Sequence, residues 1–257
     1  MTAKVAIVTG GAQGLGAAVC RNLATRGFTV AVADINAGGA SDIARECERR
    51  GASAFSIAVD LATADGPQVA VEECVRRTRR LDVLINCAAA APAEAFLEMT
   101  AEAWELALRV NVRAVALAMA AAAREMTRNG GGRIVNVTSA AARMALPHYA
   151  AYAATKAAVD SLTRSAAVAL AKQGIRVNSI SPGMMDTPLQ VRTEETFCRL
   201  EGRSDLERFR AERTARIPLD RRTTPEEMAE AVVWLAADAP DYMTAERLNV
   251  SGGLDKD

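Results

Sequence analysis

The chain has 257 residues, 50% of them hydrophobic, which fits one large α/β domain as well as two small ones. Lys+Arg and Asp+Glu balance at 31 each and aromatics make up 4%, so there is no electrostatic case for nucleic acid or an anionic membrane, and little material for base stacking. Five scattered cysteines (Cys20, Cys47, Cys74, Cys87, Cys198) with no CxxC pair argue against a disulfide framework or zinc site, and a lone histidine excludes a multi-histidine metal centre; buried cytosolic thiols and no metal are expected.

Val5-Ala-Ile-Val-Thr9 reads as a buried strand. Gly10-Gly-Ala-Gln-Gly14-Leu-Gly16 follows, then an amphipathic helix to about Arg26. This context gives a glycine motif meaning: the glycines let backbone N–H groups approach a pyrophosphate, and the helix N-terminus adds partial positive charge. The spacing is Gly-x-x-x-Gly-x-Gly, not the Gly-x-Gly-x-x-Gly of the usual dinucleotide fingerprint. Because strand and loop are reached by residue 10, no signal peptide is expected. No apolar run reads as a membrane span, so a soluble cytoplasmic protein is expected.

Thr29–Ala33 is a second strand ending at Asp34, eighteen residues past Gly16, close to the spacing of an acid that holds an adenosine ribose. A carboxylate there accepts from both ribose hydroxyls and repels a 2′-phosphate. No Arg or Lys stands in the glycine loop or directly after Asp34, which favours NAD over NADP. The alternative is that Asp34 caps the next helix. A helix over Ser41–Arg50, a strand Ser53–Val59 before Asp60, a helix around Gln68–Arg79 and a strand Val83–Asn86 follow. An alanine-rich helical region spans roughly Ala101–Arg128 and contains Asn111. The apolar run Gly132–Ser139 reads as another strand, and Gly174 closes the helix at 151–173 before strand Ile175–Ile180. Regular alternation predicts a Rossmann-like, doubly wound parallel sheet of about seven strands with helices on both faces, in one domain over residues 1–257.

Met184 to about Pro218 breaks this rhythm with seven arginines between Arg192 and Arg216. An insertion after a strand's C-terminal end is a candidate lid over a cofactor crevice. Its arginines either meet an anionic substrate or form a solvated helix face paired with Glu194, Glu195, Glu201, Glu207 and Glu212. A helix Pro225–Ala237, with proline in its first turn, and a strand Arg247–Val250 complete the chain.

Tyr152 and Lys156 stand four apart, on one face of their helix. A free tyrosine titrates at about 10, and an adjacent ammonium favours the phenolate, tuning it for proton exchange with a substrate oxygen. Ser139, thirteen residues upstream, could hydrogen-bond that same oxygen.

Together, Thr9-Gly10-x-x-x-Gly14-x-Gly16, Asp34, Asp60, Asn86, Asn111, Ser139, Tyr152-x-x-x-Lys156 and Pro182-Gly183 resemble the short-chain dehydrogenase/reductase family in its compact form, nearly end to end. The resemblance implies that Gly10, Gly14 and Gly16 form the pyrophosphate loop, with Gln13 and Leu15 among the cofactor residues. It places Asp34 on the adenosine ribose and Asp60 on the adenine, with Ile35 and Leu61 beside them, and Asn86 and Ala88 at the end of the fourth strand. Pro182, Gly183, Met185 and Thr187 complete the cofactor set, Thr187 meeting the carboxamide. Tyr152 is the implied acid/base and Ser139 orients the substrate oxygen. Lys156 binds the nicotinamide ribose and lowers the tyrosine pKa, and Asn111 holds a water linking Lys156 to solvent.

The implied activity is hydride transfer between a secondary alcohol, or its ketone, and NAD. Gly183-Met-Met-Asp186-Thr-Pro188 and the lid are similar to polyol and sugar-alcohol dehydrogenases. The alternatives are a reductase of carrier-bound 3-oxoacyl groups and a non-catalytic nucleotide sensor. Ser139, His148 and Tyr149 are candidate pocket residues, with Arg143 near them; His148 equally suits a surface loop. The family commonly forms homotetramers through helices 101–128 and 151–173, whose alanines either pack between subunits or serve helix propensity. Two departures stand out: Asn86-Cys-Ala-Ala89 replaces Asn-Asn-Ala-Gly, and the tail has Thr244-Ala245 for Thr-Gly and Ser251 for Asp.

Overall fold

A computed structural model describes residues 3–255. Seven parallel strands, β1 (Val5–Thr9), β2 (Thr29–Asp34), β3 (Ala54–Ala58), β4 (Val83–Asn86), β5 (Gly132–Val137), β6 (Ile175–Pro182) and β7 (Arg247–Val250), lie in the order β3-β2-β1-β4-β5-β6-β7. The central strands are largely apolar because helices cover both faces; all five residues of β1 are buried. One face carries α1 (Gly14–Thr25), α2 (Ala37–Arg49) and α9 (Pro225–Ala237) on a core that includes Val8, Leu23, Ile43, Ile85 and Met228. The other carries α3 (Gly66–Thr78), α5 (Ala114–Arg128) and α6 (Ala150–Leu170) around Ile7, Val71, Leu84, Met126 and Val159. This is the doubly wound sheet expected. Strand β1 pairs with β2 on one side and β4 on the other, so the topology reverses there and opens a crevice at the strands' C-terminal ends.

Several boundaries differ from the sequence reading. Helix α2 begins at Ala37 rather than Ser41, because the Asn36 side chain accepts from the Gly39 N–H and caps the helix across a weak Gly-Gly start. Asp34 is therefore not the cap. Strand β5 stops at Val137, since Ser139 already caps a short turn over Ala140–Ala142. The region 101–128 is not one regular helix: α4 (Ala101–Ala107) passes into a π-helical segment, Leu108–Arg113, before α5. By length and composition this region could cross a membrane, contrary to the sequence reading. Its buried residues, among them Ala118, Ala122 and Met126, pack into the second core, so here apolarity accompanies core burial.

The tail departure has a backbone consequence. Ala245 has φ +68°, a left-handed conformation that disfavours a side chain with a Cβ. Ala245→Gly is expected to stabilise the fold by about 1 kcal/mol, read as a melting point about 2–4 °C higher; an unchanged or lower value contradicts it. The other departure carries no such strain, because Ala89 is not among the residues with positive φ.

Candidate active site

A cleft of about 450 Å³ lies over the C-terminal ends of the strands at the reversal point. Every residue of the expected cofactor set except Asn86 lines it. Gly10 (φ +69°) passes so near β4's exit that a Cβ there would lie 2.7 Å from the Ala88 Cα, and one on Gly16 would lie 2.0 Å from the Gly10 oxygen. Gln13 stands at the α1 N-cap and its side chain makes no capping bond. The helix's first-turn N–H groups therefore face the cleft without a side-chain partner, which suits a pyrophosphate. At the end of β2, the Asp34 carboxylate accepts from the N–H groups of Ala12 (3.0 Å) and Asn36 (2.9 Å), which fixes its orientation. Asp60 is fixed likewise by the Ala62 N–H at 2.8 Å. Both carboxylates retain acceptor capacity, and the cationic residues among the lining are Lys156 and Arg192, neither of them beside Asp34 in the chain.

At the other end, Ser139, Tyr152 and Lys156 line the same space. Tyr149 stacks on Tyr152 with ring centroids 4.3 Å apart, and both rings belong to a third apolar cluster with Phe197 and Phe209. Burial pushes the Tyr152 phenol up to about 12, with the Ser139 hydroxyl pulling the other way. The expected lowering by Lys156 is thus not seen in the ligand-free chain. The lysine donates to the Val137 carbonyl at 2.8 Å and is 97% buried beneath the cleft. Burial draws it from 10.5 down to about 8, and the Asp160 carboxylate opposes this only partly.

The sign of that shift gives a stability prediction. Below about pH 8 the fold bears the full cost of a buried ammonium, and it recovers that cost between about 8 and 10.5. Lys156→Met is therefore expected to melt several degrees above wild type at neutral pH, with the advantage shrinking as the solution becomes alkaline. Calorimetry across pH checks this; a variant that melts lower at neutral pH contradicts it.

Three expected residues stand outside the lining. The Asn86 amide donates to the Asn136 Oδ1 (2.8 Å), and Asn136 donates to the Thr163 Oγ1 (2.9 Å), a buried chain tying β4 and β5 to α6. Asn111, in the π-helical segment, accepts from the Ala90 N–H and donates to the Ala90 carbonyl and to the Thr155 Oγ1. Thr155 in turn donates to the Tyr152 carbonyl at 2.7 Å. Asn111 thus braces both the β4 exit loop and the turn carrying the phenol. With both amide hydrogens spent, a water could be held only by its oxygen atoms. His148 packs near Phe197, with centroids 6.1 Å apart, and does not line the cleft.

A family model described as enoyl-(acyl carrier protein) reductase matches residues 10–255. The chain is 38% identical over 251 residues to a cis-4-hydroxycyclohexanecarboxylate dehydrogenase of Sinomonas cyclohexanicum, covering 97% of this chain and 96% of that one. The chain belongs to the short-chain dehydrogenase/reductase family. Among solved structures, it resembles a variant of actinorhodin polyketide ketoreductase with NADPH (TM-score 0.94, 30% identity, 99% and 98% coverage). It also resembles an NAD⁺-bound xylitol dehydrogenase (TM-score 0.93, 28% identity, 97% and 98% coverage). Dehydrogenases and reductases of this family are nicotinamide-dependent oxidoreductases, and this chain is one of them.

The segment expected as a lid consists of α7 (Pro188–Leu200), capped by Thr187, and α8 (Leu206–Thr214), capped by Asp205. The sequence reading expected a solvated helix face here but not two separate helices or their inward side, because that side is not apolar throughout: Thr193 and Glu194 lie inward with Phe197 and Cys198. Glu194 is fully buried and pairs with Arg210, Arg213 and Arg222. Arg203 and Arg208 share Glu212. The expected pairing is therefore seen for Arg203, Arg208, Arg210 and Arg213, but the pairs on Glu194 are buried rather than solvated and draw in Arg222 from beyond the segment. Missed, too, were lining residues of α7, Gln190 and Arg192, for which the Thr187-Pro188 helix start was the available signal.

Proposed function

We propose that the chain is an NAD-preferring dehydrogenase that interconverts a secondary alcohol and its ketone, with Tyr152 as acid/base. The observation that carries this reading is the joint presence of Ser139, Tyr152 and Lys156 at one end of a cleft whose other end holds Asp34. Bound nicotinamide supplies the hydride acceptor or donor; the protein orients and moves protons. In oxidation the phenolate of Tyr152 takes the hydroxyl proton and Ser139 steadies the oxygen as it becomes a carbonyl. In reduction the neutral phenol donates. Lys156, still an ammonium below about pH 8, would hold a ribose hydroxyl and favour the phenolate.

NAD preference rests on Asp34, which would face a 2′-phosphate at closest range. A carrier-bound 3-oxoacyl reductase is the competing reading; the family model's description shares with it the acyl carrier but names an enoyl group, and the reading requires NADPH use. We place the enzyme in the cytoplasm as a homotetramer. Val168 on α6 and Leu117 on α5 are 78% and 39% exposed, on the two helices expected to join subunits. NADH formation across a panel of secondary alcohols, hydroxy acids and polyols tests the activity. Absence of turnover with every class, by protein that binds NAD, overturns it.

A further inference from the structure

Beside the main cleft lies a smaller pocket of about 80 Å³. The two share Ser139, Tyr149, Pro182, Gly183 and Gln190, so a molecule whose hydroxyl reaches Ser139 and Tyr152 can extend from one into the other. The wall of the side pocket is largely apolar, with Met144, Leu146 and Phe197. Its charged lining residues are Arg213 and Arg216, and among the described residues no carboxylate lines it.

The two arginines are in different situations. Arg213 is committed: its Nε donates to Glu194 at 3.0 Å, and its guanidinium lies over Phe197 and Phe209 at 5.2 and 5.7 Å. Arg216 follows α8 and is exposed; no hydrogen bond or ion pair occupies its guanidinium among the described residues. The surroundings do not cancel its charge. The acidic pair Glu194 and Asp186 already answers three guanidiniums, those of Arg210, Arg213 and Arg222, and Glu212 answers Arg203 and Arg208. Glu194 is fully buried and cannot swing outward, and the Asp255 carboxylate is taken by Arg247 at 2.5 Å. A positive site on an apolar pocket fits an anion on an apolar body. A polyol would leave most of its hydroxyls unpaired against Met144, Leu146 and Phe197.

We infer that the substrate is a compact hydroxy acid, or in reverse its keto acid, with an apolar body in the side pocket and its carboxylate on Arg216. This rests on the dehydrogenase reading above and names its substrate class. The carboxylate takes no part in bond changes. The carbinol C–H bond breaks and hydrogen leaves with the electron pair for the oxidised nicotinamide. The hydroxyl proton passes to Tyr152, and a ketone and reduced nicotinamide result.

The test uses the full chain with NAD and two matched substrates, 4-hydroxycyclohexanecarboxylate and its primary carboxamide. Wild type is expected to favour the carboxylate in kcat/KM by on the order of tenfold, as for a charge-assisted hydrogen bond. The preference is expected to sit in KM. Arg216→Gln is expected to bring the two substrates to near parity, and Arg216→Lys to restore part of the difference. Arg208→Gln, which removes a cation outside both pockets, is expected to keep the wild-type ratio. Competitive inhibition by cyclohexanecarboxylate should weaken in Arg216→Gln alone. Equal use of acid and amide by wild type, or a ratio indifferent to Arg216→Gln, overturns the substrate class and leaves the dehydrogenase standing. Failure of both substrates and of all neutral alcohols overturns the dehydrogenase reading itself.

Discussion

Tyr152→Phe is expected to lower kcat for alcohol oxidation by about 10²–10⁴-fold, the usual contribution of a positioned acid/base. The change removes one oxygen and leaves the ring. Stacking on Tyr149 at 4.3 Å and packing among Phe197 and Phe209 therefore persist, and the KM for cofactor should change little. The wild-type pH profile carries the same information. The phenol titrates at about 12 in the ligand-free chain, so oxidation, which needs phenolate, should speed up with rising pH while reduction slows. The variant should lose this opposition. Steady-state rates in both directions, alongside thermal melting to confirm folding, decide the matter. A folded Phe variant retaining more than a tenth of wild-type turnover removes Tyr152 from the chemistry.

The second large effect concerns cofactor choice. Replacing Asp34 takes away charge-assisted bonds to a ribose, each worth about 1.5–3 kcal/mol, and relieves a like-charge contact with a 2′-phosphate costing several kcal/mol. Asp34→Ser is expected to cut kcat/KM with NAD by roughly tenfold or more and to raise it with NADP. Ile35 lines the cleft beside it and is 71% exposed, so an arginine there meets no packing obstacle. Asp34→Ser with Ile35→Arg is expected to invert the preference. Paired kinetics with NAD and NADP measure it. Wild type that uses both dinucleotides equally would remove Asp34 as the selector.

What could be read from the chain followed from how each part is buried. Strands such as Val5–Thr9, enclosed on both faces, are continuous apolar runs and were legible. So was the glycine loop, where close approaches at Gly10, Gly11 and Gly16 leave no room for a Cβ. The lid was legible only as an interruption. Glu194 lies where an apolar residue would mark an inward face, and its burial depends on arginines of α8 and beyond, a pairing across space that periodicity cannot show. The α2 start hid behind two glycines because one capping side chain, Asn36, outweighs them. The phenol's upward shift was hidden for a different reason. Four-residue spacing brings Lys156 onto the right face, but spacing says nothing of the Val137 carbonyl that holds the amine or of the desolvation both groups suffer. Asn86 and Asn111 were identifiable through the family resemblance. Their bracing partners, Asn136 and Ala90, come from other segments.

The widened turn at Leu108–Arg113 has a consequence for how this sequence can change. Its Ala114 N–H reaches back five residues to Arg109, so the turn holds one residue more than an ordinary helical turn would. Deleting a single residue there would restore regular winding and leave α4 nearly in phase with α5, but residues inside the turn, Asn111 among them, would rotate about the helix axis. Asn111 would then swing off Ala90 and Thr155 and release the brace under Tyr152, although no atom of the reaction centre had been altered. Length in this segment is thus as constrained as identity: a substitution beside Asn111 can be absorbed locally, whereas a one-codon loss would be felt at the phenol.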